Sequence, residues 1–150
     1  TNEIVLEYVS RAFLEFAENY YDAVGVYLDK ITPFTFLLIS SNNQKLRLMG
    51  FEFWCRLGTE ELDRLKNKLN LKNYTSKGYL QSNFEKLFTI IDSNILPTSS
   101  EDLDDEWTES KACIYILVIL VQVIDIKYFT HISNTIVGKF AVIIYRKHQI

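Results

Sequence analysis

The chain has 150 residues, 48% of them apolar, enough for one domain with a continuous core, which excludes a disordered tail as the whole of it. Five Gly and two Pro point to long elements joined by few sharp turns, a demand that helices meet. The net charge of −3, from 16 basic and 19 acidic residues, comes without a basic patch joined to a nucleic-acid signature, so nucleic acid is not expected as a direct partner.

Cys55 and Cys113 each lie inside an apolar helical pattern and read as small buried hydrophobes, compatible with a reducing compartment. The most apolar run, Ala112 to Val121, is broken by Gln122 and Asp125, whereas a membrane span needs about 20 apolar residues. It reads as a buried helix, and no membrane insertion is expected. Glu3, Glu7, Glu15 and Glu18 argue against a signal or transit peptide. The absence of an initiator Met and the helical pattern at the start point to a piece of a longer protein.

The first predicted helix covers 3–21, where Ile4, Val5, Tyr8, Val9, Ala12, Phe13, Phe16, Ala17, Tyr20 and Tyr21 form one stripe. From Asp22 to Ser41 the pattern is strongly apolar. Pro33 suits a first helical turn, so a short helix to Ile31 and a second opening at Thr32-Pro33 are predicted, with a strand over Phe34–Ile39 as the alternative. Ser40 to Asn43 is a polar break with N-cap chemistry, followed by a helical stripe through Leu46, Met49, Phe53, Trp54 and Leu57. Gly58 reads as the C-terminal glycine of that helix and Thr59 as the cap of the next, which runs to Asn70. Arg64, Lys66 and Lys68 read as solvated surface. Asn70 to Ser76 is a predicted loop. Leu80, Phe84, Leu87, Phe88, Ile91 and Ile95 restore a stripe, Thr108 is the predicted cap of a helix over 109–126, and Tyr128 to Val137 reads as one more helix, with Phe140 to Ile144 opening another.

Two helical hairpins emerge, Thr32 to Leu57 and Leu80 to Ile126, the second with an acidic insertion between its arms. The spacing of Phe34, Phe84 and Phe129 approximates a HEAT or armadillo period. The fold class expected is all-α, a HEAT/armadillo-like superhelical stack of antiparallel helix pairs, with the whole chain 1–150 forming about three repeats of a longer solenoid.

One segment is chemically conspicuous, the inter-helix loop 98–107. Glu101, Asp102, Asp104, Asp105 and Glu106 carry one sign of charge with no Lys or Arg between them, and Trp107 follows at once. Such a loop either faces water or attracts a basic partner. Trp107 is expected mainly to anchor the base of the loop in the core, and otherwise to offer an amphipathic contact to a basic ligand. A calcium loop would need a central Gly and a terminal Glu at fixed spacing, which the run lacks. No pocket-forming pair of carboxylates with an orienting His, no Walker sequence, nucleophile elbow, Gly-rich dinucleotide loop or Cys/His cluster is present, and His131 and His148 read as structural. Neither catalysis nor a cofactor is expected.

The sequence resembles the importin beta family of nuclear transport receptors. Tyr20-Tyr21 at a helix end, Gly50-Phe51-Glu52-Phe53-Trp54 in the next hairpin, Lys77-Gly78-Tyr79-Leu80-Gln81 leading into a helix, and the acidic stretch ending in Trp107 before Lys111-Ala112 occur in the family's order, covering Ala12 to Phe140. The resemblance implies a protein-binding segment active in nuclear protein import, present in cytoplasm and nucleus and at the pores of the nuclear envelope. Its implied partners are a Ran-like small GTPase, importin alpha or a basic cargo segment, and FG-repeat nucleoporins. Glu101, Asp102, Asp104, Asp105, Glu106 and Trp107 match the loop that meets the basic partners. Phe34 and Phe36 are the nearest counterparts of the family's Phe-Ile pair for FG phenylalanines, although Thr35 separates them and neither is followed by Ile. The alternative is a generic helical-repeat scaffold or assembly subunit unrelated to nuclear transport.

Overall fold

The computed structural model describes residues 2–95 and 106–147, with side chains described through residue 138 apart from residue 135. Its helices are α1 (Glu3–Asn19), α2 (Tyr21–Ile39), α3 (Gln44–Lys66), α4 (Tyr79–Ser82), α5 (Phe84–Asn94), α6 (Glu109–Val123) and α7 (Ile126–Lys147). Among the described residues there is no strand, so the chain is all-α and Phe34–Ile39 is helical.

Local chemistry starts several helices as the sequence indicates. Asn2 accepts from the Ile4 amide, Asn43 accepts from the Lys45 and Leu46 amides, and Thr108 accepts from the Lys111 amide, each satisfying a donor with no intrahelical partner.

Elsewhere tertiary packing overrides the local signal. The first helix ends at Asn19, before Tyr20, whose backbone (φ −132°) leaves the helical region. Pro33 does not open a new helix; it lies inside α2, which runs unbroken because Ile31, Thr32, Thr35, Leu38 and Ile39 are buried around it. Their burial outweighs the loss of about 3 kcal/mol that an interior proline brings. Gly58 likewise does not end a helix. A Cβ there would lie 2.9 Å from Leu80 Cδ2 and 3.1 Å from Ile119 Cγ2, so this glycine admits α4 and α6 close to α3, which continues to Lys66. Asn83 divides α4 from α5, and α7 spans the two segments read separately at the C-terminal end. Arg64 is buried, contrary to its reading as solvated surface, whereas Lys66 and Lys68 are exposed.

Helix α3 is the hub, packing most extensively on α6, α2 and α1. Ion pairs fix the directions. Glu7 meets Lys45 at 2.7 Å near the starts of α1 and α3, and Glu18 meets Arg56 at 2.7 Å further along both, so these helices run the same way. Arg47 meets Glu109 at 3.0 Å at the starts of α3 and α6, and Thr59 meets Tyr115 at 2.9 Å further along, so α6 shares that direction. Helix α2 opposes α3: Tyr21 at its start bonds Glu61 late in α3, and Thr35 near its end accepts the indole N–H of Trp54 at 3.0 Å. Gln81 in α4 and Asp125 between α6 and α7 exchange two hydrogen bonds, and α7 lays Tyr128 and His131 on Phe84 and Phe88. The core is continuous through these helices, with Trp54 at its centre, stacked on Phe36 and edge-on to Phe53.

A buried polar junction ties α2, α3 and α4. Glu61, with no exposed surface, accepts from Tyr21 Oη at 3.1 Å, from the Tyr79 amide at 2.7 Å and from the Leu80 amide at 3.4 Å. The carboxylate thus caps α4, which has no cap of its own. Burial raises the Glu61 pKa, and those three donors pull the other way. Gly78 enters α4 with φ +71°, a left-handed backbone that glycine adopts without a Cβ penalty. Beside this junction Arg64 bonds Glu60 and Asp22 and lies over the rings of Tyr21 and Tyr74, 4.2 and 4.7 Å from their centroids.

A candidate protein-binding groove between α3 and α6

Positions Glu52, Arg56, Thr59, Glu60 and Asp63 fall on one face of α3 by helical spacing, and that face looks out between α1 and the start of α6. With Glu18 from α1, Cys55, Trp107 and Tyr115 they line an open groove of about 620 Å3. Four carboxylates stand there against one guanidinium. Arg56 is already engaged: it bonds Glu52 through Nε at 3.1 Å and Nη2 at 2.7 Å and Glu18 through Nη1 at 2.7 Å, with Glu15 at 3.6 Å. Burial acts to lower its pKa, but the Glu52 bond and the surrounding carboxylates raise it overall, so it stays charged. Glu60 is held by Arg64 at 2.9 Å. Asp63 is exposed and its carboxylate makes no ion pair with a described residue, which leaves the groove a net negative field.

The aromatic wall is positioned by backbone and hydroxyl bonds. Thr59 Oγ1 gives its hydrogen to the Cys55 carbonyl at 2.8 Å and therefore accepts from Tyr115 Oη at 2.9 Å. Lys111 Nζ donates to the Glu106 carbonyl at 2.6 Å, holding the residue before Trp107. The Trp107 ring meets Tyr115 edge to face at 6.2 Å and 74°. Two rings at nearly a right angle beside carboxylates make a corner suited to a cationic side chain. Beneath, Cys55 contacts the Ala112 carbonyl at 3.8 Å, and its thiol is pushed up to about 12 by burial, so it is no nucleophile at neutral pH. Both cysteines are buried, and neither forms a disulfide.

Of the residues singled out from sequence, Glu101, Asp102, Asp104 and Asp105 lie outside the described residues. Glu106 is exposed. Trp107 is 43% exposed and lines the groove instead of anchoring in the core. Phe34 lies edge-on to Phe13 at 5.2 Å, and Phe36 stacks on Trp54 at 5.8 Å, so each has its own neighbour and the two do not share one pocket. The expectation missed Glu18, Glu52, Glu60 and Asp63. A charged stripe on the otherwise apolar α3 was the available signal, but only the fold joins it to Trp107. Among the described residues no cluster of His, Cys, Asp and Glu is arranged to hold a metal ion, and no helix is long and apolar enough to cross a membrane.

The fold and groove define an all-helical protein with an open, negatively charged, aromatic-edged cleft. No protein-family model, curated protein or solved structure matches the chain.

Proposed function

We propose that this chain is a protein-binding segment of a HEAT-type nuclear transport receptor of the importin-beta kind, and that it receives a basic segment of its partner in the α3/α6 groove. The observation that carries the reading is the seating of Trp107 and Tyr115 over the acidic face of α3, with Asp63 unengaged. Opposite charge steers encounter and fixes register, while the indole supplies anchoring area. The shared direction of α1, α3 and α6, with α2 opposed, is the order that stacked antiparallel pairs produce, and the exposed apolar residues Ile4, Val5 and Tyr8 on α1 suit contact with a further helix pair. In this reading the chain catalyses nothing and needs no cofactor. Its partners are a Ran-like GTPase, importin alpha or a basic cargo segment, and FG-repeat nucleoporins, met in cytoplasm, nucleus and at the pores.

Pull-down of the intact protein against the GTPase loaded with GTP or GDP tests the transport reading, which expects retention of the GTP form only. Equal retention of both forms, or of neither, overturns it and leaves a generic helical scaffold. A titration with an importin-alpha-type basic peptide tests the groove: Trp107→Ala weakens binding about tenfold, added salt weakens it further, and joint neutralisation of Glu101, Asp102, Asp104, Asp105 and Glu106 weakens it again. Affinity unchanged by all three removes basic-partner binding from the proposal.

A further inference from the structure

The end of α3 and the loop beyond it, Leu65 to Lys72, carry Lys66, Lys68 and Lys72, no acidic residue, and three leucines that face solvent: Leu65 and Leu71 at 51% exposure and Leu69 at 79%. An apolar side chain left so exposed on a floppy loop would mean little. This loop is tied instead. Asn67 ends α3 in the left-handed region, φ +26°, and its side-chain amide pairs with both backbone groups of Leu71, donating to the carbonyl at 3.2 Å and accepting from the amide at 3.0 Å. The Asn70 amide closes back on the Asn67 carbonyl at 3.0 Å, with Asn70 itself at φ +49°. Leu69 is thereby held out at the apex of a closed knuckle. The three lysines make no ion pair with any described residue. Alongside, a depression of about 300 Å3 runs between Leu69 and Leu71 on one side and Tyr74 on the other, and Tyr74 is itself braced under Arg64.

We infer that this knuckle is a second docking surface, opposite in charge to the α3/α6 groove, and that it takes an acidic protein segment carrying an apolar side chain. The apolar side chain enters the depression against Leu69, Leu71 and Tyr74, while the neighbouring carboxylates meet Lys66, Lys68 and Lys72. A protein segment fits better than a bilayer because the surface is a concave depression that a single side chain can enter, whereas a bilayer face would meet only its rim. The knuckle is formed before binding, so little loop-ordering entropy is lost on association.

The test uses the whole chain with methyl-labelled leucines and a short synthetic peptide of glutamates flanking one phenylalanine. The methyl resonances of Leu69 and Leu71 shift on titration, and a peptide with lysines in place of glutamates produces no shift at them. Leu69→Ser weakens binding about tenfold. Joint Lys66→Glu, Lys68→Glu and Lys72→Glu abolishes it, and added salt weakens it. Asn67→Gly keeps the left-handed backbone but removes both side-chain bonds, weakening binding about threefold while Leu69 remains. Every substituted side chain is at least partly exposed, and unchanged thermal unfolding of each variant shows that the fold is retained. Unshifted Leu69 and Leu71 resonances, or affinity indifferent to the triple charge reversal, overturn the inference. So does Leu69-dependent binding to phosphatidylserine vesicles without peptide binding, which assigns the knuckle to a lipid surface. None of these outcomes touches the basic-peptide titration at Trp107, so the two surfaces stand or fall separately.

Discussion

Replacing Glu61 with Ala removes the acceptor on which the α2–α3–α4 junction is built. The Tyr79 amide at 2.7 Å and the Tyr21 hydroxyl at 3.1 Å lose their shared oxygen, and the Leu80 amide loses a longer bond at 3.4 Å. A buried donor left without an acceptor costs about 1–3 kcal/mol. Two such donors, less the relief of no longer burying a carboxylate, give a net loss of about 3 kcal/mol, a large share of the roughly 5–15 kcal/mol typical of a domain. Glu61→Gln keeps the shape and one carbonyl acceptor for Tyr79 and Tyr21, so its stability stays within about 1 kcal/mol of the parent. The pair also separates by pH. Burial raises the folded-state pKa of Glu61 above its ordinary 4.5, so the folded chain keeps this proton to higher pH than the unfolded chain does. The group's contribution is therefore full below 4.5 and declines as pH climbs through the raised value. Glu61→Gln lacks that decline, so its stability relative to the parent improves from about pH 4 to about pH 8. Urea unfolding followed by helical circular dichroism at both pH values measures this. An Ala variant within about 0.5 kcal/mol of the parent, or a Gln-to-parent difference flat with pH, refutes the reasoning.

Further outcomes follow from packing and exposure. A Cβ at Gly50 would lie 2.7 Å from Ile39 Cγ1 and 2.9 Å from the Thr35 carbonyl, which is backbone and cannot rotate away. Gly50→Ala therefore lowers stability by about 1–2 kcal/mol in thermal or urea unfolding despite its better helix propensity, whereas Gly138→Ala in α7, with nothing within 4 Å, raises it by up to about 1 kcal/mol. Cys55, with its thiol near 12, and the buried Cys113 resist a thiol reagent at about pH 8 until urea exposes both; a fast-reacting thiol in the folded chain would contradict their burial. Acrylamide quenches Trp107, 43% exposed, and spares Trp54, which is fully buried; a Trp107→Phe variant that quenches like the parent would place the indoles otherwise.

How much of this was legible in the sequence depends on whether the deciding force was local. The stripe from Leu46 to Leu57, the caps at Asn43 and Thr108 and the polar loop after Asn70 are written in neighbouring residues, and they form as read. Pro33 and Gly58 carry equally clear local signals and mislead, because Pro33 sits among side chains buried on α3, and Gly58 exists to admit Leu80 and Ile119. The charge of Arg64 suggested solvent, yet Glu60, Asp22 and two tyrosine faces make a buried guanidinium tenable. The groove shows the same division. Trp107 stands out in the sequence next to an acidic run, but the carboxylates it is seen to face belong to α1 and α3, more than forty positions earlier. No periodicity connects residues that only the parallel packing of α1, α3 and α6 brings together.

The two charged surfaces have a common origin in α3. Its outward face carries acids as far as Asp63, and lysines follow at its C-terminal end, where positive charge offsets the partial negative charge of the last carbonyls. That helix-end effect accounts for Lys66 without any ligand. It does not account for Leu69, because a helix ends equally well on any polar residue, and a solvent-facing leucine at a turn apex loses the benefit of burial that the same side chain gains in the core. Nor does flexibility account for it, since Asn67 spends its whole amide on fixing Leu71 and with it the apex. Asp63 lines both depressions, on the boundary between the negative groove and the positive knuckle. A partner engaging both surfaces would need basic and acidic segments in that order across the end of α3, and Asp63→Lys would then weaken the basic contact while strengthening the acidic one. Titrating that variant with the basic peptide and the acidic peptide in turn distinguishes this from a single surface: parallel changes in both affinities would mean that the groove and the knuckle act as one.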